Sequence, residues 1–325
     1  MGESERLLIW VRTEARGLGR ALAGLLGVAT LSCCAAACGG SSSGVVDGSS
    51  AASPHCDAPA LIAHRGETGD GANLPENTWQ AELAAAAEGA TYLNMDLRWT
   101  SDGVPVALHD ATVNRTTSET RPNLPITDLT AQQYTALDSR DYVSDTQGGQ
   151  INPAVHPDTL AEVLAKIAST GKPIVLQMEA DPLQPGQAGA TSQQDFADLA
   201  QVIEQSGYTD KVIVAGWTLA DLRAFHAAAP SVQLAYLFES IGAKNYPTGA
   251  ELRAADTHIL YMDYRGITAA NTSTWHAQGV KVWAWTPAER SQWEQLRTDG
   301  VDAIATNWAK FYLNWATPCS ADSSH

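Results

Sequence analysis

The chain has 325 residues, of which 44% are hydrophobic, and a formal charge of −16. The hydrophobic share excludes a disordered chain and supplies a large core. A surface this acidic repels polyanions, which excludes nucleic acid and anionic lipid headgroups as bulk partners.

The first elements in chain order are not part of a fold. Arg12, Arg16 and Arg20 form a basic stretch, and Ala21 to Ala37 is an uncharged run ending in small residues before Cys38-Gly39-Gly40. That order reads as an export signal over residues 1–37, and an apolar run of about 17 residues is at the lower limit for a membrane span. The segment carries Arg6, Arg12, Arg16 and Arg20 against Glu3, Glu5 and Glu14, a net +1, so its removal leaves −17. Ala35-Ala36-Ala37-Cys38 resembles the lipobox of bacterial lipoproteins, with Cys38 as the lipidated residue. Cys34, with Leu31 three residues before it, is a competing site, and simple cleavage with free secretion is the alternative. Residues 38–55 are rich in Ser, Gly and Ala and read as a flexible tether. In an oxidising compartment Cys56 and Cys319, at the two edges of the folded region, read as a disulfide closing a domain over residues 56–319, with 320–325 as a tail.

Short β-rich runs then alternate with Ala-rich helical stretches. The strands expected are 60–64, 91–98, 104–108, 173–179, 211–215, 232–238, 258–262, 280–286 and 302–306. Several are apolar throughout, as parallel strands buried on both faces are. Helical spacing covers 79–88, 159–169, 193–206, 219–229, 269–278 and 287–298. Repeated βα units predict an α/β fold, and about eight of them a closed (β/α)8 TIM barrel. An open doubly wound sheet is the alternative, but no GxGxxG follows the first strand.

Nine strands are one too many for an eightfold barrel. Asp102-Gly103 between the second and third runs predicts a two-residue type I′ hairpin, and so short a link cannot be a parallel crossover. In that register Ser101 faces Val104 and Asp96 faces His109, with Asn94 on the same face as Asp96. Residues 114–156 break the pattern and read as a small insertion after this hairpin, a lid over one end of the barrel. Within it, 127–137 is expected to hold a short helix capped by Thr127 or Asp128.

Polar clusters fall where barrel active sites are built, at the C-terminal ends of strands. His64-Arg65-Gly66 closes the first strand, Asp96 and His109 flank the hairpin, and Glu179 ends an apolar run. Pro75-Glu76-Asn77-Thr78 precedes the first helix. Trp285 ends a strand and is expected to wall the pocket, with Trp99 and Trp217 as weaker candidates. His156, His226, His258 and His276 read as structural or exposed. There is no GxSxG elbow or P-loop to support a serine esterase or nucleotide hydrolase.

Taken together these motifs resemble the glycerophosphodiester phosphodiesterase family. The family's ordered set appears as His64-Arg65-Gly66, Pro75-Glu76-Asn77-Thr78, Asn94-Met95-Asp96, His109-Asp110 and Glu179-Ala180-Asp181. Val282-Trp283-Ala284-Trp285-Thr286 and Gly300-Val301-Asp302-Ala303-Ile304-Ala305-Thr306 resemble its closing segments. The resemblance implies a phosphoric diester hydrolase of lipid metabolism that yields a glycerol phosphate and an alcohol. His64 and His109 would serve as acid and base, in an order the sequence leaves open, and Arg65 would hold the phosphate. Glu76, Asp96, Glu179 and Asn94 would be the ligands of a divalent cation, Ca²⁺ or Mg²⁺. This chain departs from the family's pattern at Asn94 and Asp181, where Glu and Lys are usual, at Asn307 in place of Asp, and at Pro287-Ala288. Those departures keep two alternatives open: a phospholipase D-like enzyme acting on lysophospholipid or sphingolipid headgroups, and a non-catalytic phosphodiester-binding surface lipoprotein. The expected partner is a small phosphodiester, met by an exported monomer that touches a membrane only through its N-terminal lipid anchor.

Overall fold

The computed structural model describes residues 57–69, 74–179 and 192–316. The expected signal and tether, with Cys38, Cys56, Cys319 and Asp181, lie outside them. In chain order the elements are β1 (Ala60–Ala63), α1 (Trp79–Glu88), β2 (Tyr92–Trp99), β3 (Pro105–Ala107), α2 (Ala131–Thr135), β4 (Ser139–Ser144), β5 (Gln147–Asn152), α3 (Leu160–Ile167) and β6 (Ile174–Met178). There follow α4 (Gln193–Gln205), β7 (Val212–Gly216), α5 (Leu219–Ala228), β8 (Gln233–Phe238), α6 (Gly249–Arg253), β9 (Ile259–Asp263), α7 (Ala269–Ala277), β10 (Lys281–Trp285), α8 (Arg290–Asp299), β11 (Ala303–Thr306) and α9 (Ala309–Trp315).

β1, β2, β6, β7, β8, β9, β10 and β11 are parallel neighbours in that order, and β1 pairs with both β2 and β11. The sheet therefore closes on itself as the expected eight-stranded barrel. Its helices start where the sequence offers a hydroxyl: the side chains of Thr78, Thr159, Ser192, Thr218, Thr248 and Thr268 each accept a hydrogen bond from a backbone N–H in the first turn. Such a cap satisfies a donor that the helix itself leaves unpaired.

Two cores follow from the alternation of strand side chains. Leu93, Met95 and Leu97 face the helices with Leu176, Val214, Leu260 and Val282. The opposite faces fill the barrel with Ile62, Val175, Ile213, Tyr261 and Trp283 among the small Ala215, Ala235, Ala303 and Ala305. Large rings opposite alanines let the layers interdigitate without a channel.

The hairpin differs from its expected register by one residue. Leu97 stands opposite Ala107 and Arg98 opposite Val106, so Leu108 rather than His109 pairs with Asp96, its N–H donating to the Asp96 carbonyl at 3.0 Å. A type I′ turn needs positive φ at both central residues. Here Gly103 alone adopts it, at +77°, and Thr100 N–H bonds Val104 O at 3.1 Å across a three-residue loop. Asp102 instead accepts hydrogen bonds from the Thr100 hydroxyl and the Ala131 N–H.

The insertion is more ordered than its composition suggests. It contains the antiparallel pair β4–β5 and the short α2, whose cap is Thr130, in a reciprocal box with Gln133, rather than Thr127 or Asp128. Val106, Leu108, Val113, Ile126, Leu129 and Tyr134 form a separate small core beneath it.

Candidate active site

His64 and Arg65 follow β1 directly, and the chain turns sharply there. Arg65 has φ +61° and Gly66 +88°. A side chain at Gly66 would meet Ala81 of α1 at 2.6 Å, so only glycine lets the loop lie against that helix. The turn aims the Arg65 guanidinium inward, where it is almost fully buried. Its Nε pairs with Asp96 Oδ2 at 2.9 Å, and its Nη1 with Glu76 Oε1 at 3.0 Å and Asp145 Oδ1 at 3.2 Å.

Asn77 supplies the second tight turn, with φ +57°. Its amide clasps Asp96, donating from Nδ2 to Oδ2 at 3.0 Å and accepting the Asp96 N–H at 2.9 Å. Burial raises the Asp96 carboxyl, but the charge of Arg65, with His109 and the Asn77 hydrogen bond, outweighs that and holds it ionised. Its other oxygen, Oδ1, is buried without a hydrogen-bond partner.

The two histidines receive different partners. His64 Nδ1 lies 2.6 Å from Asn307 Oδ1 at the end of β11. Burial and then the Arg65 charge lower its pKa below 6.5. His109 Nδ1 lies 2.9 Å from Asp110 Oδ1, and its Nε2 lies 3.9 Å from Glu179 Oε2. Burial and Arg65 press His109 down, yet Asp110, Glu179 and Asp96 together lift its pKa above 6.5. Arg98 Nε donates to the His109 carbonyl at 2.6 Å and fixes the backbone there. One imidazole is thus kept neutral and the other is biased toward its charged form in the same barrel mouth.

A family model described as the glycerophosphoryl diester phosphodiesterase family matches residues 64–309. The chain belongs to that family.

It is a phosphoric diester hydrolase on the barrel its sequence predicted. It is 26% identical over 255 residues to the glycerophosphodiester phosphodiesterase of Caldanaerobacter subterraneus subsp. tengcongensis, covering 78% of this chain and 96% of that one. It is 46% identical to human glycerophosphodiester phosphodiesterase 1 over only 81 residues, 25% of this chain and 23% of the relative. Among solved structures it is similar to an Oleispira antarctica phosphodiesterase in complex with the product sn-glycerol-3-phosphate, with TM-score 0.65, 22% identity and coverage of 79% and 96%. The glycerophosphodiester phosphodiesterase of Thermotoga maritima gives TM-score 0.56 at 18% identity, with coverage of 78% and 96%.

Within this family member, the carboxylates expected to ligate a cation have unequal surroundings. Both oxygens of Glu76 are taken by guanidinium groups, Oε1 by Arg65 and Arg115 and Oε2 by Arg115. Asn94 Oδ1 accepts the Arg65 N–H at 3.2 Å, and its Nδ2 donates to Val175 O. Among the described residues no three acidic, His or Cys side chains gather into a ready ligand shell. Asp96 and Glu179 are the pair that fits a hard cation. Asp96 Oδ1 has no partner, and Glu179 is driven toward protonation by burial and by the neighbouring Asp96 charge, His109 opposing. A divalent ion between two such carboxylates would relieve both penalties.

Trp285 ends β10 with its Nε1 donating to Tyr261 O and its ring edge-on to Trp217 at 5.8 Å. Trp99 packs outside the barrel. Among the described residues four further histidines each face an aspartate away from the mouth: His156 beside Asp138, His226 and His258 beside Asp256, and His276 beside Asp302. The sequence reading missed three site residues, Arg115, Tyr142 and Asp145. Tyr142 and Asp145 reach the site from the β4–β5 hairpin, whose strands carry no apolar alternation to reveal them. Arg115 had a signal, since it lies only six residues after His109.

Proposed function

We propose that this enzyme hydrolyses a glycerophosphodiester to a glycerol phosphate and an alcohol, with His64 as general base and His109 as general acid. The observation that carries this reading is the pair of orienting partners, a neutral amide on His64 Nδ1 and a carboxylate on His109 Nδ1. Asn307 Nδ2 donates to the Tyr142 hydroxyl at 2.9 Å, so its Oδ1 faces His64 and takes the Nδ1 proton. The Nε2 lone pair is then free to remove a proton from an attacking water as its oxygen bonds to phosphorus. His109, protonated, gives its proton to the departing alkoxide as the P–O bond breaks. Arg65 holds a non-bridging oxygen through its planar donors. Asp96 and Glu179 would hold the Ca²⁺ or Mg²⁺, with Asn94 beside them, and the bound ion would neutralise charge on the phosphoryl group. Glu76 serves instead as the counter-ion of Arg65 and Arg115.

The test measures release of glycerol phosphate from glycerophosphocholine by wild type and by His64→Ala and His109→Ala, each with EDTA and with Ca²⁺ or Mg²⁺ restored. Loss of turnover by about 10²–10⁴ in each variant and recovery on adding the ion support the reading. Wild-type turnover unchanged by EDTA removes the cation from it. The non-catalytic alternative is not favoured, since both histidines are present and partnered, and the headgroup-cleaving one is not, since the family and its relatives are described as glycerophosphodiester phosphodiesterases.

The export reading joins this proposal: residues 1–37 direct secretion, Cys38 carries the lipid, the folded part works as a monomer, and Cys56 and Cys319 form a disulfide. Membrane fractionation of Cys38→Ala and the mass of the unreduced protein test the anchor and the bridge.

A further inference from the structure

We infer that Arg115 is a positioning residue that joins the phosphate-holding arm of the site to its proton-donating arm. This rests on the roles given above to Arg65 and His109. The largely buried Arg115 guanidinium makes two forked pairs. Nη1 and Nη2 donate to Glu76 Oε2 and Oε1 at 2.6 and 2.7 Å, while Nε and Nη2 donate to Asp110 Oδ2 and Oδ1 at 2.7 and 2.9 Å. Each carboxylate then passes the constraint on. Glu76 Oε1 takes Arg65 Nη1 at 3.0 Å, and Asp110 Oδ1 takes His109 Nδ1 at 2.9 Å.

Arg65 leaves β1 and His109 follows β3, and one planar fork sets the separation of their two carboxylate partners. Nη1 also donates to Ser144 O at 3.3 Å, so the inserted hairpin leans on the same group. The geometry needs a guanidinium. An ammonium donates from a single point and can satisfy one of two carboxylates bidentately held here, not both. Arg115 touches neither phosphate nor leaving group in this account; it acts through Glu76 and Asp110.

The experiment compares wild type, Arg115→Lys, Glu76→Gln, Asp110→Asn and the double variant Arg115→Lys/Asp110→Asn in the full chain. Three quantities are read: kcat on glycerophosphocholine, the dissociation constant of inorganic phosphate by calorimetry, and the melting temperature. Arg115→Lys should lower kcat about 10–100-fold and weaken phosphate about 5–10-fold, with melting too little changed to account for either. Glu76→Gln should mainly weaken phosphate and Asp110→Asn mainly lower kcat. The double variant should lose no more than about threefold in kcat beyond Asp110→Asn, because the two act along one path. Wild-type kcat and phosphate binding in Arg115→Lys, or fully additive losses in the double variant, overturn the inference. If Arg115→Lys does not fold, the two single carboxylate variants decide: equal effects of both on kcat and phosphate overturn it. Phosphate binding is read without turnover, so an enzyme inactive on glycerophosphodiesters would sink the proposed substrate and leave this test standing.

Discussion

His64 Nδ1 and Asn307 Oδ1 stand 2.6 Å apart and connect the first barrel strand to the last at the seam where the sheet closes. An amide at this place orients the imidazole without adding charge, so burial and Arg65 keep it neutral.

Asn307→Asp should reverse that balance. A carboxylate bonded to Nδ1 favours the imidazolium and raises the His64 pKa. A base works only when neutral, so the acid limb of kcat/KM should move to higher pH, by about one unit, with activity lost below neutral pH. A limb left in place in rates measured from pH 5 to 9 would show that Asn307 does not set the charge on His64.

His109→Ala should depend on the leaving group. On an alkyl diester such as glycerophosphocholine the loss should be about 10²–10⁴, because the alkoxide needs a proton. On a nitrophenyl phosphodiester it should be about tenfold or less, since nitrophenolate leaves unprotonated. Equal losses on both substrates would move the acid role elsewhere.

Asp145 Oδ1, at the tip of the inserted hairpin, accepts from Arg65 Nη1 and from the Tyr142 hydroxyl, each at 3.2 Å. The Arg65 charge outweighs the effect of burial and keeps it ionised, so it competes with a phosphate for the same guanidinium. Asp145→Ala should tighten inhibition by glycerol 3-phosphate about threefold to tenfold, near 1 kcal/mol. Inhibition unchanged or weakened would mean that phosphate leaves the Asp145 contact intact.

Glu82 of α1 is fully buried behind β2, and neither carboxyl oxygen makes a well-formed hydrogen bond. Burial raises its pKa well above the usual range, with the Asn94 backbone opposing and the Asp96 charge adding to it. A carboxyl with a raised folded pKa favours folding below the unfolded pKa of about 4.3 and loses that advantage as pH rises through the folded value. Glu82→Gln removes this dependence. Relative to wild type it should therefore be more stabilising at pH 8 than at pH 5. Urea unfolding at the two values checks the sign; an equal effect at both would mean that Glu82 is ionised in the fold.

The barrel was legible because its signals are local. Apolar strands, hydroxyl-capped helices and polar residues at strand ends each occupy a few adjacent positions, and their order matches the observed elements from Ala60 to Thr306. The hairpin register was not. Asp102-Gly103 fits more than one loop, and the choice depended on whether Asp102 turned to positive φ or capped toward Thr100 and Ala131, which lies in the insertion.

By itself the sequence determined the closed barrel, its family, and the presence of His64, Arg65, Asp96, His109 and Glu179 at one mouth. Tertiary structure alone decided which partners each of them meets. Glu76 meets Arg115 across 39 positions and His64 meets Asn307 across 243. Charge state depends on burial and on partners brought together from distant strands, and no local pattern encodes a partner that far away. That is why two histidines of identical type are shifted in opposite directions, His64 below 6.5 and His109 above it, only once the barrel has closed.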